Sequence, residues 1–351
     1  MAHVIGIDLG TTNSVVSFLE AGRPVVIPNE EGSNTTPSVV LFRGGEEVIV
    51  GELAKRQLVS NPSHTISSAK RFIGRRIDEV TETARQVHYN LVDDPDNDRL
   101  LIDLDWKKIS PEEVSTEILK KMRKSAEIFL DEVINQAVVT VPAYFNDSQR
   151  SATKKAAEMA GLEVMRVVNE PTAAALAYGL NRQGNETIAV FDFGGGTFDV
   201  SILELSDNMF EVRSTNGDTF LGGENIDHII FDMIRDEIMK QTGIEIREFP
   251  QAVQRAREAA EKAKCELSSM KSTTISLPFL VSDDSGPKHY NREITRDEFN
   301  ALITPVLERL IPPCRMALMD AGISPNHLDG IVMVGGSTRI PKVMEIAADF
   351  F

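Results

Sequence analysis

Short apolar runs separated by polar turns recur along the chain, and four of them have the length and composition of buried strands. They are Val4–Asp8 and residues 137–141, 188–192 and 331–334. Stretches with apolar residues at helical spacing lie between these runs, and such alternation of strand and helix signals is typical of an α/β fold. The pattern therefore predicts an α/β protein.

Capping signals mark the helix boundaries. Ser110-Pro111-Glu112-Glu113 combines an N-cap serine, a proline at the first helical position and a capping-box glutamate. Thr295 followed by Glu298 is a second capping box, and Gly322 marks the end of the helical stretch that it begins. Three prolines predict a break or kink within that stretch: Pro305, Pro312 and Pro313.

Two further segments differ sharply in composition. Residues 251–270 are rich in alanine and charged residues, and their Glu/Lys pairs predict a long helix with an exposed charged face. Residues 90–98 are rich in Asp and Asn, which predicts an exposed loop.

An internal repeat is the most informative feature of the chain. Val4–Asp8 leads through a Gly/Thr turn into apolar residues 15 and 16, and residues 188–192 lead through a Gly/Thr turn into a second apolar run. Each copy predicts a β-hairpin with an aspartate, Asp8 or Asp192, at its polar tip. Because the copies lie about half the chain apart, they predict two similar lobes whose tips face a shared cleft.

The hairpin tips have the chemistry of a polyphosphate site. Glycines in a tight turn expose backbone N–H groups and let a phosphate approach closely, and a strand-end aspartate can hold a hydrated magnesium ion. The chain contains no P-loop string, and Asp199 stands where the third glycine of the dinucleotide-binding pattern would be. The tips therefore predict phosphate binding by a different kind of site.

A third glycine-rich segment follows the strand at residues 331–334. Gly335 and Gly336 form its turn, and a helix begins at Pro341. A flat base can lie against a Gly-Gly backbone, and the plane of an arginine such as Arg339 can stack on it. The segment therefore predicts a nucleoside-binding turn.

Charge and composition exclude several classes of protein. The net charge of -16 repels nucleic acids and anionic membranes, and one Trp and four Tyr give no platform for stacking bases. Asp8 interrupts the first apolar run and no basic region precedes it, so we expect no signal peptide. Cys265 and Cys314 are too few for a disulfide framework or zinc site, and we expect two reduced thiols in a cytoplasmic protein.

The motifs themselves resemble a known superfamily. Asp8-Leu-Gly-Thr-Thr-Asn13-Ser14, Asp192-Phe-Gly-Gly-Gly-Thr-Phe-Asp199 and Val334-Gly-Gly-Ser-Thr-Arg-Ile-Pro341 resemble the phosphate 1, phosphate 2 and adenosine motifs of actins, sugar kinases and heat-shock chaperones. Residues 141–150, 169–179 and 221–224 are similar to the seventy-kilodalton heat-shock chaperones, with the bacterial and organellar DnaK branch as the nearest match. The resemblance runs from residue 4 to the last residue.

The resemblance implies an actin-like ATPase fold with two duplicated ribonuclease-H-like lobes, each of two subdomains, around a nucleotide cleft. We expect lobe I at residues 1–181, with an outer subdomain at about 37–110. Lobe II is expected at residues 182–351, with an outer subdomain at about 222–299. It further implies a chaperone motor that assists protein folding and the stress response, and that hydrolyses ATP to ADP with magnesium and potassium as cofactors.

The same resemblance assigns roles around the phosphates. Asp8 and Asp192 would hold magnesium through water. Lys70 would contact the γ-phosphate and the attacking water, and Glu170 would orient magnesium-bound water and couple the site to Pro142. Thr197 and Asp199 would assist the attacking water. The residues expected to contact the nucleotide phosphates are Gly10, Thr11, Thr12, Asn13, Gly194, Gly195, Gly196, Gly222 and Gly223.

On the adenosine side, Glu261, Lys264 and Ser268 have the spacing of one helix face. The resemblance implies that this face holds the ribose and adenine together with the turn at residues 335–337 and Arg339. Cys265 stands where relatives have arginine, which leaves Arg339 as the guanidinium stacked on one side of the base. The turn residues concerned are Gly335, Gly336 and Ser337.

Partners also follow from the resemblance. Pro142, Arg150 and Arg166 match residues that relay nucleotide state to an interdomain linker and to J-domain co-chaperones. A GrpE-type nucleotide exchange factor is the second expected partner, and we expect a monomer. Relatives continue past Phe351 into a further adenosine-contacting segment, a linker and a peptide-binding domain. We therefore expect unfolded polypeptide to bind only through that further domain.

The sequence leaves two alternative functions open. A sugar-kinase-like phosphotransferase shares the phosphate motifs but needs a hydroxyl substrate, for which we find no dedicated motif. An actin-like filament protein shares them as well, and would assemble on addition of ATP. The segments similar to the heat-shock chaperones favour the chaperone ATPase over both.

Overall fold

The computed structural model describes residues 3–45, 47–80, 87–94, 99–179, 185–206, 209–283 and 286–351. The chain divides into two compact units, Met1–Ala173 and Ala174–Phe351. The division into core and outer subdomains stays a prediction.

The strands of the first unit are short, and most alternate between buried and exposed side chains. In chain order they are β1 (Val4–Asp8), β2 (Asn13–Glu20), β3 (Arg23–Ile27), β4 (Thr36–Pro37), β5 (Val39–Phe42), β6 (Val48–Val50), β7 (Thr65–Ser67), β8 (Asn90–Asp94), β9 (Arg99–Asp103), β10 (Lys108–Ile109), β11 (Gln136–Val141) and β12 (Glu163–Asn169). The α-helices described there are α1 (Glu52–Lys55), α2 (Pro111–Leu130), α3 (Asp147–Met159) and α4 (Glu170–Gly179), the last of which continues into the second unit.

The main sheet of the first unit has the order β12-β11-β1-β2-β3, with β4 also paired to β2. β1 runs parallel to β11 and antiparallel to β2, so the carboxyl ends of β1 and β11 lie side by side. Two smaller sheets have the orders β6-β5-β7 and β10-β9-β8. The core packs Ile5 and Ile7 of the sheet against Ile118 and Met122 of α2, all of them fully buried.

The second unit repeats this plan with a smaller sheet. Its described strands are β13 (Glu186–Phe193), β14 (Phe198–Ser206), β15 (Met209–Asp218), β16 (Ser272–Asp283), β17 (Gly286–Thr295) and β18 (Gly330–Val334). The sheet order is β15-β14-β13-β18, and β16 and β17 form a separate hairpin. The further helices are α5 (Gly223–Thr242), α6 (Pro250–Leu267), α7 (Arg296–Leu307), α8 (Ile311–Ala321) and α9 (Pro341–Phe350).

The internal repeat predicted from the sequence is confirmed in the strand order. β1-β2-β3 and β13-β14-β15 are both antiparallel, and the first strand of each set has a parallel neighbour, β11 or β18. Asp8 pairs with Val15, and Asp192 pairs with Asp199. Both aspartates therefore lie at the tips of hairpins, as the repeat predicts.

The predicted helix starts are confirmed, whereas the helix predicted at residues 251–270 ends earlier, at Leu267. Ser110 and Glu113 make both hydrogen bonds of a capping box. Thr295 caps α7 by accepting from the Glu298 backbone N–H at 3.2 Å, but the predicted reciprocal bond is wrong because the Glu298 carboxylate pairs with Arg292. Pro305 lies within α7, and the break follows at a 3₁₀ turn before α8.

The prediction of an exposed loop at residues 90–98 is wrong for its first half. Asn90–Asp94 form β8, which pairs with β9, while residues 95–98 lie outside the described residues. Leu91 opposes Ile102 and packs against the buried core. Cross-strand packing has outweighed the low strand propensity of Asp and Asn.

Among the helices that the structure describes, none has the length and apolar character needed to cross a lipid bilayer.

Candidate functional site

The turn after β1 is fixed by close backbone contacts. A Cβ atom at Gly10 would lie 2.0 Å from the carbonyl oxygen of Asn13, so no larger residue fits there without a backbone shift. Ser38 donates from Oγ to the Gly10 carbonyl and from its backbone N–H to the Thr12 carbonyl, both at 2.8 Å. Thr11 and Thr12 are half-buried, and Asn13 is exposed. The turn is therefore a tightly held backbone loop.

Asp8 lies directly before this turn, at the carboxyl end of β1, with its side chain exposed. Thr140 of the parallel neighbour β11 donates from Oγ1 to Asp8 Oδ1 at 3.0 Å. This hydrogen bond orients one carboxylate oxygen.

Lys70 is a nearly buried lysine, only 9% exposed. Its Nζ atom lies 2.6 Å from Glu170 Oε1 at the start of α4. The ring centroid of Phe145 lies 6.0 Å from the same Nζ, within the outer range of cation–π attraction. Ser68, two residues before Lys70, has a left-handed backbone with φ of 56°. The chain thus accepts local strain at the turn that carries this lysine.

The electrostatics of Glu170 reflect its surroundings. Burial raises the pKa of the Glu170 carboxyl, and the nearby negative charge of Asp8 raises it further, while the ammonium of Lys70 opposes both effects. We name Asp8, residues 10–13, Lys70 and Glu170 the first cluster. It holds one buried ammonium beside two carboxylates and a glycine turn.

Pro142 and Arg150 belong to one turn next to this cluster. Arg150 donates from Nε to the Phe145 carbonyl at 2.9 Å and from Nη2 to the Ala143 carbonyl at 3.2 Å. The Phe145 backbone N–H donates to the Pro142 carbonyl at 3.2 Å. The turn that Arg150 holds therefore carries the ring that faces Lys70. Arg166 lies exposed on β12, and none of the described contacts joins it to this turn.

In the second unit, the tip of the β13–β14 hairpin is bonded through its carbonyl groups. Gly194 accepts from the Gly223 backbone N–H at 3.0 Å and from Ser337 Oγ at 2.8 Å. Gly195 accepts from the Glu224 backbone N–H at 2.8 Å. The tip, the first turn of α5 and the turn after β18 thus meet, and we name the group the second cluster. Its members are Asp192, residues 194–197, Gly222, Gly223, Lys264 and residues 335–337.

Two glycines of this cluster leave no room for a side chain. A Cβ atom at Gly222 would lie 2.3 Å from the Gly195 carbonyl oxygen. At Gly335, where φ is 88°, a Cβ atom would lie 2.3 Å from the Phe193 carbonyl oxygen and 2.8 Å from Asp192 Oδ1. The Gly335 backbone therefore lies directly against the Asp192 carboxylate.

The predicted face of α6 meets the same cluster through Lys264. Its Nζ atom lies 2.7 Å from Asp227 Oδ2 and donates to the Gly223 carbonyl at 3.2 Å. Ser268 follows α6 as its C-cap and donates from Oγ to the Lys264 carbonyl at 3.0 Å. Glu261, Lys264 and Ser268 are half-buried, whereas Cys265 is exposed.

The remaining predicted residues lie at the edges of the second cluster. Arg339 and Gly336 are exposed, and Thr197 is half-buried at the hairpin tip. Asp199 lies over Gly217 of β15, where a Cβ atom would come within 2.5 Å of Asp199 Oδ1. A glycine at position 217 therefore makes room for the Asp199 side chain.

Asp227 gives a prediction about pH. Burial raises its pKa from 3.8 to about 6, with smaller contributions from Glu261 and Glu224, against the attraction of Lys264. The folded protein thus keeps a proton that the unfolded chain has released, so stability falls as pH rises from 3.8 to about 6. Relative to Asp227→Asn, the wild-type free energy of unfolding should fall by about 1.4 kcal/mol between about pH 5 and pH 7.5.

Urea unfolding of both proteins across that range measures this difference, and other titrating groups cancel in the subtraction. A difference that stays constant, or that grows as the pH rises, would contradict the raised pKa.

Each cluster, taken by itself, contains a carboxylate of the kind that holds a hydrated magnesium ion. Magnesium takes one or two carboxylates and completes its shell with water and phosphate oxygens. Asp8 supplies such a carboxylate in the first unit and Asp192 supplies one in the second. In the first unit, buried Asn169 Oδ1 beside Glu170 has no hydrogen-bond partner among the described residues. In the part of the chain that the structure describes, no three His, Cys, Asp or Glu side chains gather to hold a metal directly.

One family model matches almost the whole chain. It is the model described as Hsp70 protein, and it covers residues 4–351. The chain belongs to the Hsp70 family. Hsp70 proteins have the actin-like ATPase fold, so the predicted fold class is confirmed. Hsp70 ATPase domains bind ATP or ADP with magnesium and hydrolyse ATP, and the family works with J-domain and nucleotide exchange co-chaperones. The match therefore selects a chaperone ATPase domain from the three functions weighed on the sequence.

Five contact residues were missed by the sequence analysis, and each supports a predicted one. Thr140 could have been found as the residue of β11 that lies beside the end of β1. Gly217 could have been found by pairing β14 with β15. The others depend on tertiary packing that carries no local signal. The five are Ser38, Thr140, Phe145, Gly217 and Asp227.

Proposed function

We propose that this chain is the ATP-hydrolysing motor of a DnaK-type Hsp70, whose nucleotide state controls peptide binding during protein folding and the stress response. The observation that carries the proposal is the buried Lys70–Glu170 pair at 2.6 Å, in the same unit as the glycine turn that follows Asp8. Lysine side chains are almost never buried unless they are paired. Catalysis of phosphoryl transfer depends on positioning and on stabilisation of negative charge, and it requires little covalent chemistry from the protein.

In this proposal Lys70 is the charge that meets the γ-phosphate and the attacking water. Glu170 and the ring of Phe145 hold its Nζ atom in place. Glu170 accepts a hydrogen bond from Lys70, so the ammonium is oriented before the nucleotide arrives. Such preorganisation lowers the barrier because no reorganisation is needed during the reaction.

The glycine turns are proposed to bind the phosphates. Ser38 already bonds the carbonyl groups of Gly10 and Thr12, while Ser337 and the start of α5 bond those of Gly194 and Gly195. With the carbonyl groups bonded within the protein, a phosphate meets N–H and hydroxyl donors at each turn. Magnesium, once bound through Asp8 and Asp192, would neutralise phosphate charge, and we include potassium for the same purpose.

Thr197 and Asp199 are proposed to orient the attacking water. The Asp199 side chain can occupy its position because Gly217 has no Cβ. On the nucleoside side, Glu261, Lys264 and Ser268 are proposed to contact the ribose. Gly335, Gly336 and Ser337 are proposed to lie against the adenine, with Arg339 stacked on it.

The turn at Pro142 and Arg150 supports a proposed route from nucleotide to partner. Arg150 bonds the Phe145 carbonyl, and the Phe145 ring faces Lys70. A change at Lys70 on hydrolysis would therefore reach this turn. We propose that a J-domain protein acts through the turn and exposed Arg166, that a GrpE-type factor exchanges the nucleotide, and that the protein works as a cytoplasmic monomer.

The coupling proposal predicts a selective defect. Arg166→Ala should lower stimulation by a J-domain protein by about tenfold, as for a truncated hot-spot arginine, and leave basal hydrolysis unchanged. Arg23→Ala, at an exposed arginine on β3 at the opposite edge of the same sheet, is the matched control. Single-turnover phosphate release with and without the J-domain protein measures both. Full stimulation of Arg166→Ala would remove Arg166 from the proposed surface.

A further inference from the structure

Three hydrogen bonds join Ser38 to the segment at residues 10–14. Its Oγ donates to the Gly10 carbonyl and its backbone N–H donates to the Thr12 carbonyl, each at 2.8 Å. Its Oγ also lies 2.9 Å from Ser14 Oγ, and both side chains are buried. β4, directly before Ser38, pairs with Asn13 and Ser14. One residue from a distant part of the chain thus holds both ends of the turn.

The chain on the other side of Ser38 leads to Lys70. β5 begins at the next residue and pairs with β7, with Val39 opposite Ser67 and Val40 opposite Ile66. Ser68 follows β7 in a left-handed conformation, and Lys70 lies in the 3₁₀ turn after it. Two residues therefore separate Lys70 from β7, whose neighbour β5 is joined to Ser38 by a peptide bond.

These two sets of contacts make Ser38 the link between two parts of the first cluster. Hydrogen bonds join it to the turn, and one peptide bond joins it to β5, which holds the strand of Lys70. A continuous path of hydrogen bonds and backbone therefore runs from the turn through Ser38, β5 and β7 to Lys70.

We propose that Ser38 is a positioning residue for ATP hydrolysis, which holds the phosphate-binding turn in register with Lys70. The proposal rests on the function proposed above and names a residue that supports it. The position of the turn relative to Lys70 matters most for the γ-phosphate. The turn binds the phosphate chain of the nucleotide, and Lys70 acts on the γ-phosphate at the end of that chain. ADP lacks that group, so its binding does not depend on how the turn is placed relative to Lys70.

Ser38→Ala removes the hydroxyl and leaves the backbone hydrogen bond to Thr12. We expect the single-turnover rate constant for ATP hydrolysis to fall by about 10- to 100-fold, the range expected for a displacement near 1 Å at a reacting group. The dissociation constant for ADP should change by less than about threefold. Ser14→Ala is the matched control, because it removes a buried hydroxyl of the same pair and spares the bond to Gly10.

A double variant separates positioning from general loosening of the structure. In a Lys70→Ala background, Ser38→Ala should change the hydrolysis rate by less than about twofold, because the partner whose register it sets is gone. A merely structural Ser38 would lower the rate by the same factor in both backgrounds and would weaken ADP binding as well. That result would overturn the proposal.

Two further variants keep the test decisive if Ser38→Ala folds poorly. Ser38→Cys keeps the shape of the side chain with a larger atom and a weaker donor, and it should show an intermediate loss of rate. Ser38→Thr retains the hydroxyl and should recover most of the wild-type rate. Equal rates for Ser38→Cys and wild type would overturn the proposal. An absence of hydrolysis in the wild-type protein would instead overturn the proposed function, so the two failures can be told apart.

Discussion

Replacement of Lys70 by alanine is expected to lower the single-turnover rate constant for ATP hydrolysis by about 100- to 1,000-fold, the usual loss when one preorganised charge or donor is removed. Lys70 is nearly buried, and its Nζ atom is held 2.6 Å from Glu170 Oε1. Loss of the ammonium also leaves Glu170 buried without its partner, which raises its pKa further. The affinity for ADP should fall much less than the rate constant.

The matched control is Lys154→Ala, at an exposed lysine on α3 that pairs with Glu158. This variant should hydrolyse ATP at the wild-type rate. Quenched-flow measurement of phosphate release, beside calorimetric measurement of ADP affinity, distinguishes the two effects. If Lys70→Ala retains more than about a tenth of the wild-type rate, Lys70 does not have the proposed role.

The second large effect is expected at Gly335. Alanine there must adopt φ of 88° and would bring its Cβ to 2.3 Å from the Phe193 carbonyl oxygen and 2.8 Å from Asp192 Oδ1. Left-handed strain and a backbone clash each cost about 1 to 3 kcal/mol, so we expect Gly335→Ala to lose about 3 kcal/mol of unfolding free energy or more. A displaced Asp192 should also weaken the binding of nucleotide with magnesium.

Gly336 provides the comparison within the same Gly-Gly pair. No heavy atom lies within 4 Å of a Cβ built there, so Gly336→Ala should leave the melting temperature nearly unchanged. Thermal unfolding of the two variants beside the wild type measures the difference. Equal melting temperatures for Gly335→Ala and Gly336→Ala would contradict the close packing of Gly335 against Asp192.

The fold could be predicted from the sequence largely because it is duplicated. Asp8 and Asp192 each end an apolar strand before a Gly/Thr turn, and a hairpin signal that occurs twice outweighs the ambiguity of either copy. Capping residues such as Ser110 are equally local signals, and they place helix starts well. The prediction of a loop at residues 90–94 was wrong because the strand there depends on pairing with β9, which the local composition does not reveal.

The site could be predicted only as far as its motifs extend. Glycines 10, 222 and 335 stand out in the sequence, and a Cβ atom at any of them would lie within 2.3 Å of a backbone carbonyl oxygen. The supporting residues Ser38, Phe145 and Asp227 contact the site from segments far along the chain. Nothing in their immediate sequence marks them, because their contacts are made by the packing of the sheet and helices.

The central claim is that this chain transfers the γ-phosphate of ATP to water. The most direct measurement is a single-turnover reaction with γ-labelled ATP, magnesium and potassium, with glucose and glycerol offered as acceptors. We predict that all of the label appears as inorganic phosphate, slowly, and faster when a J-domain protein is added. Label on glucose or glycerol, or tight ATP binding with no phosphate released, would contradict the account.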